Sequence, residues 1–307
     1  MRALVTGSSG FIGSNLADRL THLGHEVVGI DRRSRPGAPY RHITADLNDP
    51  RFSPVLTTTA QWADVVFHLA ARPGIRTGPP GIEELRRRDI VTATMRVLEA
   101  VTPDTHLIVT SSSAVYGGAR PAPGGLRPSR EDDPLDPRGG YARCKVEMEM
   151  ICRQWAERSG RLALVRPFTV IGERQRDDMA VSLWLDAASR GEPVTVIGSL
   201  HRTRDVTDVR KVVAGIIRVA ELRFAGVLNL GAGRPRTLSE MLEAVFRAVG
   251  REVPITTQQA PMQEVQATYA DNTRSNKLGI ELGTDLDEAV ARQHAVRLGR
   301  QPRLVTA

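Results

Sequence analysis

A phenol and an ammonium lie four residues apart at Tyr141 and Lys145, within a predicted helix over Tyr141–Arg158. Residues spaced i and i+4 share one face of a helix, so the two side chains are expected to lie together. A phenol has a pKa of about 10, and a base that works near neutrality needs that pKa lowered by about three units, or roughly 4 kcal/mol. One cation about 4 Å away contributes on the order of 4 kcal/mol at an effective dielectric constant near 20. The pair therefore fits a general base, although the same spacing alone also fits an exposed helix surface.

A glycine-rich turn follows the first predicted strand, Arg2–Thr6, and leads into the first predicted helix. Its glycines are Gly7, Gly10 and Gly13. Glycine tolerates a positive φ and lets the backbone approach a ligand, and the helix N-terminus offers free N–H donors to a pyrophosphate. Asp31, after the second predicted strand, is placed to accept hydrogen bonds from the ribose hydroxyls of an adenosine. The combination predicts a dinucleotide site.

The choice of dinucleotide depends on the residues from Asp31 to Arg33. A carboxylate that faces the ribose repels a 2′-phosphate, which favours NAD over NADP. The neighbouring guanidiniums of Arg32 and Arg33 are the groups that an NADP site would use, so NADP stays open as an alternative. We expect NAD.

Short apolar runs alternate with amphipathic stretches in the first half of the chain. The predicted strands are Arg2–Thr6, Glu26–Ile30, Val65–Leu69, Leu107–Thr110 and Leu162–Arg166. The predicted helices are Ile12–Leu23, Thr92–Val101 and Tyr141–Arg158. This alternation predicts an α/β fold with a Rossmann-type, doubly wound parallel sheet. Residues 117–140 are crowded with Pro and Gly and are predicted to form a loop over the top of the sheet.

The second half of the chain has a mixed pattern. Helices are predicted near Met179–Arg190, Leu238–Val249 and Leu286–Arg297, and strands near Val194–Ile197 and Val227–Leu230. We interpret residues 1–168 as an NAD-binding Rossmann domain. Residues 169–307 are predicted to form mainly a smaller α/β lobe that binds the substrate, with the chain crossing between the two.

Composition argues against several classes of protein. The formal charge of +7 is dispersed along the chain and only 4% of residues are aromatic, whereas nucleic-acid binders concentrate charge and interleave aromatics with it. We expect no nucleic-acid partner, although a dispersed positive field favours an anionic substrate such as a diphosphate. Cys144 and Cys152 would lie about 12 Å apart on one helix, too far for a disulfide, and the scattered histidines predict no metal site. No apolar run approaches the roughly 20 residues that span a bilayer, so we expect a cytoplasmic enzyme with no membrane partner.

The spacing Gly-x-x-Gly-x-x-Gly, together with Tyr141-Ala-Arg-Cys-Lys145, resembles the extended short-chain dehydrogenase/reductase family. The resemblance covers nearly the whole chain. It includes the segments Asp46-Leu47, His68-Leu69-Ala70-Ala71, Ser111–Gly117, Arg166–Gly172 and Arg202-Thr203-Arg204-Asp205.

The resemblance implies an NAD-dependent enzyme that acts on a nucleotide-activated sugar. It makes Tyr141 the base and Lys145 its partner, and Ser112 supplies the hydroxyl that hydrogen-bonds the reacting sugar oxygen. Oxidised nicotinamide would add a second positive charge near the phenol. The predicted cofactor contacts are Gly7, Gly10, Phe11, Ile12, Gly13, Asp31, Arg32, Asp46, Leu47, Leu69, Ala70, Ala71, Tyr141, Lys145 and Pro167.

The two residues that directly follow Ser112 bear on which reaction follows the oxidation of the sugar. In the resembled family, 4,6-dehydratases carry an Asp-Glu pair after this Ser or Thr, and uronate decarboxylases carry a Glu two residues after it. This chain has Ser113 and Ala114 there, and neither can act as an acid or base at carbon 5 or 6. The reaction that remains is a 4-epimerisation. In it the sugar is oxidised at carbon 4, the 4-keto sugar rotates, and the hydride returns to its other face.

The segment Phe168–Ala180 most resembles the UDP-glucuronate 4-epimerases. The resemblance implies that Thr169 and Arg176 hold the hexuronate carboxylate, since a fixed guanidinium donates two parallel hydrogen bonds to a carboxylate. It also implies that Arg204 contacts the phosphates. The predicted substrate contacts are Arg76, Ser112, Ser113, Tyr141, Thr169, Arg176 and Arg204.

Three departures from the family pattern bear on the substrate. Ile90 replaces an Asn, Arg210-Lys211 replace an acidic pair, and Ala114 replaces a hydroxyl.

The alternative functions are a decarboxylase, dehydratase or 4-ketoreductase that acts on a UDP-sugar, or a non-catalytic NAD-binding sensor. The resemblance also implies a homodimer. We interpret the triplet from Arg86 to Arg88 as a solvated face.

Overall fold

The computed structural model describes residues 1–74 and 78–299. The strands are β1 (Arg2–Thr6), β2 (Glu26–Asp31), β3 (Arg41–Thr44), β4 (Val65–His68), β5 (His106–Thr110), β6 (Arg120–Ala122), β7 (Gly125–Arg127), β8 (Arg161–Pro167), β9 (Thr169–Ile171), β10 (Val194–Ile197), β11 (Thr203–Asp208), β12 (Gly226–Leu230), β13 (Pro235–Thr237) and β14 (Ile255–Gln258). The helices are α1 (Phe11–His22), α2 (Ser53–Trp62), α3 (Ile82–Arg87), α4 (Ala93–Ala100), α5 (Gly139–Ser159), α6 (Ala180–Arg190), α7 (Val209–Glu221), α8 (Leu238–Val249), α9 (Thr273–Lys277) and α10 (Leu286–Arg297).

Seven parallel strands form the central sheet, in the order β3-β2-β1-β4-β5-β8-β12. The strand order reverses at β1, where Thr6 lies beside Ile30 of β2 on one side and His68 of β4 on the other. Ligands of doubly wound sheets bind outside the carboxyl ends of the strands at such a switch point. The predicted Rossmann-type fold is confirmed.

Helices cover both faces of this sheet because its strands are apolar on both sides. On one face, α1 and α7 pack through Leu16, Leu20 and Ile216. On the other face, α2, α4 and α5 bury residues such as Leu56 and Met148 against the strands. The two packed layers fix the strand ends, and therefore the loops that follow them.

The smaller lobe has its own core. Trp184 of α6, Leu242 of α8 and Val290 of α10 pack together in it. A three-stranded sheet of order β13-β11-β9 and a parallel pair of β10 and β14 accompany these helices. The division at residue 168 stays a prediction. Strand β12 returns from the second half of the chain and pairs with β8 in the central sheet.

Two local predictions were wrong. The loop predicted over 117–140 contains an antiparallel hairpin of β6 and β7. The predicted solvated face fails at Arg86, which is 4% exposed because the helix begins ten residues earlier than predicted, with α3 and a π-helical turn, Arg88–Thr92, ahead of α4. Arg87 and Arg88 remain partly exposed and form ion pairs.

Helix α5 carries both cysteines, and Cys144 and Cys152 are buried free thiols. Within residues 1–74 and 78–299, each helix is too short or too polar to cross a bilayer.

Candidate active site

A cleft of about 710 Å³ opens beyond the carboxyl ends of the central strands. All of the predicted cofactor contacts line it. They are Gly7, Gly10, Phe11, Ile12, Gly13, Asp31, Arg32, Asp46, Leu47, Leu69, Ala70, Ala71, Tyr141, Lys145 and Pro167. Ser112 and Arg176 line the same cleft. The switch point of the sheet thus brings together residues from eight separate segments.

The glycine turn is packed too tightly to accept larger residues. Gly7 has a φ of 74°, and a Cβ on it would lie 2.7 Å from the amide nitrogen of Ala70. A Cβ on Gly13 would lie 2.1 Å from the carbonyl oxygen of Gly7. Helix α1 begins at Phe11, directly after the turn, and its first residues line the cleft. The first N–H groups of a helix have no acceptor within the helix. This close backbone packing at a helix N-terminus fits a bound pyrophosphate.

Asp31 is fixed at the end of β2 by two backbone donors. Its Oδ2 accepts from the amide of Ser9 at 3.0 Å, and its Oδ1 accepts from the amide of Arg33 at 2.9 Å. Arg33 also donates through Nη2 to the carbonyl oxygen of Ser9 at 2.8 Å. The carboxylate is therefore held at the cleft wall, with lone pairs left to accept from ribose hydroxyls.

Asp46 is a second acidic residue at this end of the cleft. It accepts from the amide of Asn48 at 2.9 Å and from Arg88 Nη2 at 2.6 Å. Burial acts to raise the pKa of Asp46, but the hydrogen bonds from Arg88 and Asn48 outweigh burial and leave that pKa below its ordinary value. Asp46 therefore carries a negative charge at neutral pH.

Tyr141 and Lys145 of α5 line the other end of the cleft, where Lys145 is 3% exposed. Lys145 Nζ donates to the carbonyl oxygen of Thr110 at 2.7 Å, and burial lowers the pKa of Lys145 to about 8. Burial raises the pKa of Tyr141, and a hydrogen bond with Ser112 and the charges of Arg176 and Arg86 oppose that rise. The ammonium was predicted to lower the phenol pKa, but the net shift is upward, because burial outweighs the neighbouring cations.

A buried ion pair involves Glu149, which lies one helical turn after Lys145 on α5. Arg166 of β8 donates to both carboxylate oxygens of Glu149, at 2.9 and 2.6 Å, and each side chain is 1% exposed. Arg166 also donates to the hydroxyl of Tyr116, which donates to Asn229 Oδ1 at 2.7 Å. Sequence reasoning gave Glu149 no role. The signal was available, since Glu149 follows Lys145 by four residues on the same helix face, and Arg166 is a charged residue in an apolar strand.

The predicted substrate contacts are less completely assembled. Arg176 lies at the cleft wall and donates to both carboxylate oxygens of Asp178, at 2.9 and 3.1 Å. Ser113, Thr169 and Arg204 lie outside the cleft lining. Arg204 forms an ion pair with Glu264.

Two further predictions concern Arg76 and a metal site. Arg76 lies outside the described residues. Among residues 1–74 and 78–299, no three His, Cys, Asp or Glu side chains cluster in a way that could hold a metal ion.

A dinucleotide-type cleft at the switch point of a doubly wound sheet, with a buried Tyr and Lys of one helix at its wall, defines an enzyme of the short-chain dehydrogenase/reductase type. Residues 3–231 match the model of the NAD dependent epimerase/dehydratase family, and the chain belongs to that family.

Comparison with known proteins gives relatives across the whole length. The chain is 30% identical to a probable UDP-glucuronate 4-epimerase of Rhizobium meliloti (strain 1021), over 95% of each chain. It is 34% identical to MoeE5, whose solved structure contains UDP-glucuronic acid and NAD; the match covers 97% of this chain and 100% of the other, with a TM-score of 0.86. The UDP-glucuronic acid 4-epimerase of Bacillus cereus, in complex with UDP-glucuronic acid and NAD, is 26% identical over 96% and 98% of the chains, with a TM-score of 0.85.

Proposed function

We propose that this chain catalyses the NAD-dependent 4-epimerisation of a UDP-hexose, with UDP-glucuronate as its preferred substrate. The observation that carries the proposal is the cleft, because it joins the glycine turn and Asp31 to Tyr141, Ser112 and a guanidinium, that of Arg176. The glycine turn and Asp31 hold the dinucleotide. NAD held there would supply a reversible hydride acceptor for carbon 4 of the sugar.

Tyr141 is the group that takes the proton from the C4 hydroxyl and later returns it. Ser112 can hydrogen-bond the same sugar oxygen, because its hydroxyl is already within hydrogen-bonding reach of the phenol. Lys145 is anchored on the carbonyl oxygen of Thr110, which fixes its ammonium in the cleft wall. The proton transfer between a hydroxyl and a phenol needs the phenol pKa to fall, and the cations around Tyr141 act in that direction.

The carboxylate of a hexuronate is assigned to Arg176 and Thr169. The guanidinium of Arg176 already binds a carboxylate in two-point geometry, that of Asp178. A substrate carboxylate would replace Asp178 there, since side chains in exposed ion pairs exchange partners at low cost. The relatives named as UDP-glucuronate 4-epimerases support this choice of sugar. Ser113 and Arg204 stay predicted contacts of the sugar and of the phosphates, although both lie outside the cleft lining. Arg76, outside the described residues, stays a predicted substrate contact.

The proposal favours epimerisation over decarboxylation. Oxidation at carbon 4 turns a hexuronate into a β-keto acid, which readily loses carbon dioxide. A carboxylate paired with Arg176 is stabilised in its charged form, and Ala114 offers no acid at the position where the family's decarboxylases carry one. One relative at 28% identity is named as a UDP-N-acetyl-alpha-D-glucosaminuronate decarboxylase, so product analysis has to separate the two reactions.

We further propose that the enzyme is a homodimer in the cytoplasm. Two neighbouring helices expose apolar side chains on their outer surface, Met95 of α4 at 44% and Met150 of α5 at 57%. Large exposed apolar side chains on adjacent helices favour a helix-mediated contact between two copies. The buried free thiols of Cys144 and Cys152 fit a reducing compartment. Light scattering on the purified protein tests the dimer, and a monomer at micromolar concentration would contradict it.

The experiment for the reaction uses the purified chain with UDP-glucuronate, UDP-glucose and UDP-N-acetylglucosamine in parallel. Products are resolved by chromatography and mass spectrometry. We expect UDP-glucuronate to give an isomer of unchanged mass. A pentose nucleotide as main product would indicate a decarboxylase, and a loss of water would indicate a dehydratase. Ligand-dependent stabilisation without any product would indicate an NAD-binding sensor.

A further inference from the structure

One buried carboxylate at the adenosine end of the cleft binds three guanidiniums. The side chain of Asp89 is 5% exposed. Its Oδ2 accepts from Arg72 Nε at 2.7 Å and pairs with Arg32 Nη2 at 2.9 Å. Its Oδ1 accepts from Arg88 Nη1 at 2.7 Å. Asp89 therefore pairs with Arg32, one of the two arginines that the sequence left open for a 2′-phosphate, and with two further guanidiniums.

The backbone places Asp89 at this position through an unusual helical turn. Asp89 lies in the π-helical turn Arg88–Thr92, between α3 and α4. Turns of this kind inside helices are frequent at functional sites. Asp89, Arg32 and Arg72 line the same cleft as Asp31. The carboxylate therefore belongs to the wall of the dinucleotide cleft and not to a distant structural cluster.

A 2′-phosphate distinguishes NADP from NAD, and proteins recognise it with guanidiniums near the end of β2. Arg32 follows Asp31 directly and would be such a group if its side chain were free to turn. It is instead held at a buried carboxylate. We propose that Asp89 is a cofactor-specificity residue that withholds Arg32 and Arg72 from a 2′-phosphate and so keeps the cleft selective for NAD.

Asp31 and Asp89 contribute in different ways to the discrimination between NAD and NADP. Asp31 repels a 2′-phosphate, and Asp89 removes the attraction that neighbouring arginines would supply. Selectivity of this kind needs both an unfavourable element and the absence of a favourable one. This inference rests on the dinucleotide assignment of the proposed function, but it is independent of the sugar and of turnover.

The test measures binding of adenosine 5′-monophosphate and adenosine 2′,5′-bisphosphate by calorimetry. These probes differ only in the 2′-phosphate, and both are titrated into the same preparation, so nucleotide retained from the cell affects both alike. Asp89→Asn should shift the affinity ratio towards the bisphosphate by at least about tenfold, the value of one charge-assisted hydrogen bond. The matched control is Asp287→Asn, which removes a carboxylate from an ion pair with Arg247 on the smaller lobe. It should leave the ratio unchanged.

Arg32→Ala provides the second variant and avoids a buried substitution, since Arg32 is 42% exposed. In the otherwise unaltered chain it should change the ratio of the two affinities by less than about threefold, because its guanidinium is already paired with Asp89, and any contact with the adenosine itself affects both probes alike. Added to Asp89→Asn, it should remove the part of the gain that Arg32 supplies and leave the part that Arg72 supplies. If Asp89→Asn does not fold, Arg32→Ala alone decides.

The proposal is overturned if folded Asp89→Asn leaves the ratio unchanged, or if Arg32→Ala in the otherwise unaltered chain strongly shifts the ratio towards the monophosphate. Failure of both probes to bind would remove the dinucleotide assignment and this proposal together. A chain that prefers the monophosphate in the expected pattern but forms no epimer would refute only the proposed reaction.

Discussion

Removing the guanidinium of Arg176 should lower uronate turnover much more than hexose turnover, because the hexose loses only the effect of this charge on the pKa of Tyr141. In the structure this side chain is 33% exposed and its partner Asp178 is 64% exposed. An exposed ion pair is worth about 0–1 kcal/mol, so its displacement by a substrate carboxylate is cheap. A charge-assisted interaction with the substrate is worth about 1.5–3 kcal/mol. The difference, roughly 1–2 kcal/mol, predicts that Arg176→Ala lowers kcat/KM for UDP-glucuronate by about five- to thirtyfold.

The assay compares kcat/KM for UDP-glucuronate and UDP-glucose in the same preparations. The matched control is Arg190→Ala, since Arg190 forms a comparable pair with Glu192 two residues on, at 2.8 Å, outside the cleft. Asp178→Asn should leave uronate turnover unchanged or raise it, because it removes the competing carboxylate. The reasoning is wrong if Arg176→Ala reduces both substrates equally, or if the control reproduces its effect.

Three further outcomes follow from the same geometry. Tyr141→Phe should lower turnover by about 10²- to 10⁴-fold and leave NAD binding intact, as followed by product formation and calorimetry; wild-type turnover would remove Tyr141 from the mechanism. Glu149→Gln leaves the buried Arg166 guanidinium without its counter-charge and should destabilise the protein by about 3–5 kcal/mol in urea unfolding; a loss below about 1 kcal/mol would contradict the importance of this pair. Burial lowers the pKa of His68 to about 3, so the unfolded chain binds a proton that the folded chain does not as the pH falls below 6.5. His68 should therefore account for a stability loss of about 2 kcal/mol between pH 6.5 and 5, a loss that is absent in His68→Gln.

Elements with strong local signals could be predicted from the sequence. Helix α8 has the predicted bounds, and its first turn carries a capping box in which Thr237 and Glu240 bond each other's backbone amides. Helix α7 was missed although its apolar residues recur at helical spacing and Asp208 caps its first turn, because β-branched Val and Ile residues are also typical of strands. Strand β9 was also missed, since its partner β11 is more than thirty residues away along the chain.

The residues of the candidate site also differ in whether the sequence could predict them. The glycine turn and Asp31 could be predicted because each follows a strand at a short, fixed distance. The Asp89 cluster could not, because the π-helical turn that points Asp89 into the cleft leaves no period that a helix pattern would reveal. Arg86 was predicted to be solvated, because three consecutive arginines are typical of an exposed surface. In the structure Arg86 lies in α3 and is buried.

The abundance of arginine acts through local pairs and not as a general positive field. A net charge of +7 would raise the affinity for every anion alike. Within the cleft, however, Arg176 is paired with an exposed carboxylate and Arg32 with a buried one. A substrate carboxylate can displace the exposed partner Asp178 at little cost, whereas Asp89 is held by two further guanidiniums and stays in place. We infer that arginine can bind a ligand anion at the sugar end of the cleft, through Arg176, but not at the adenosine end, where Arg32 stays bound to Asp89. The difference between the two arginines comes from the burial of the carboxylate that each one pairs with. A count of charges in the sequence carries no information about that burial.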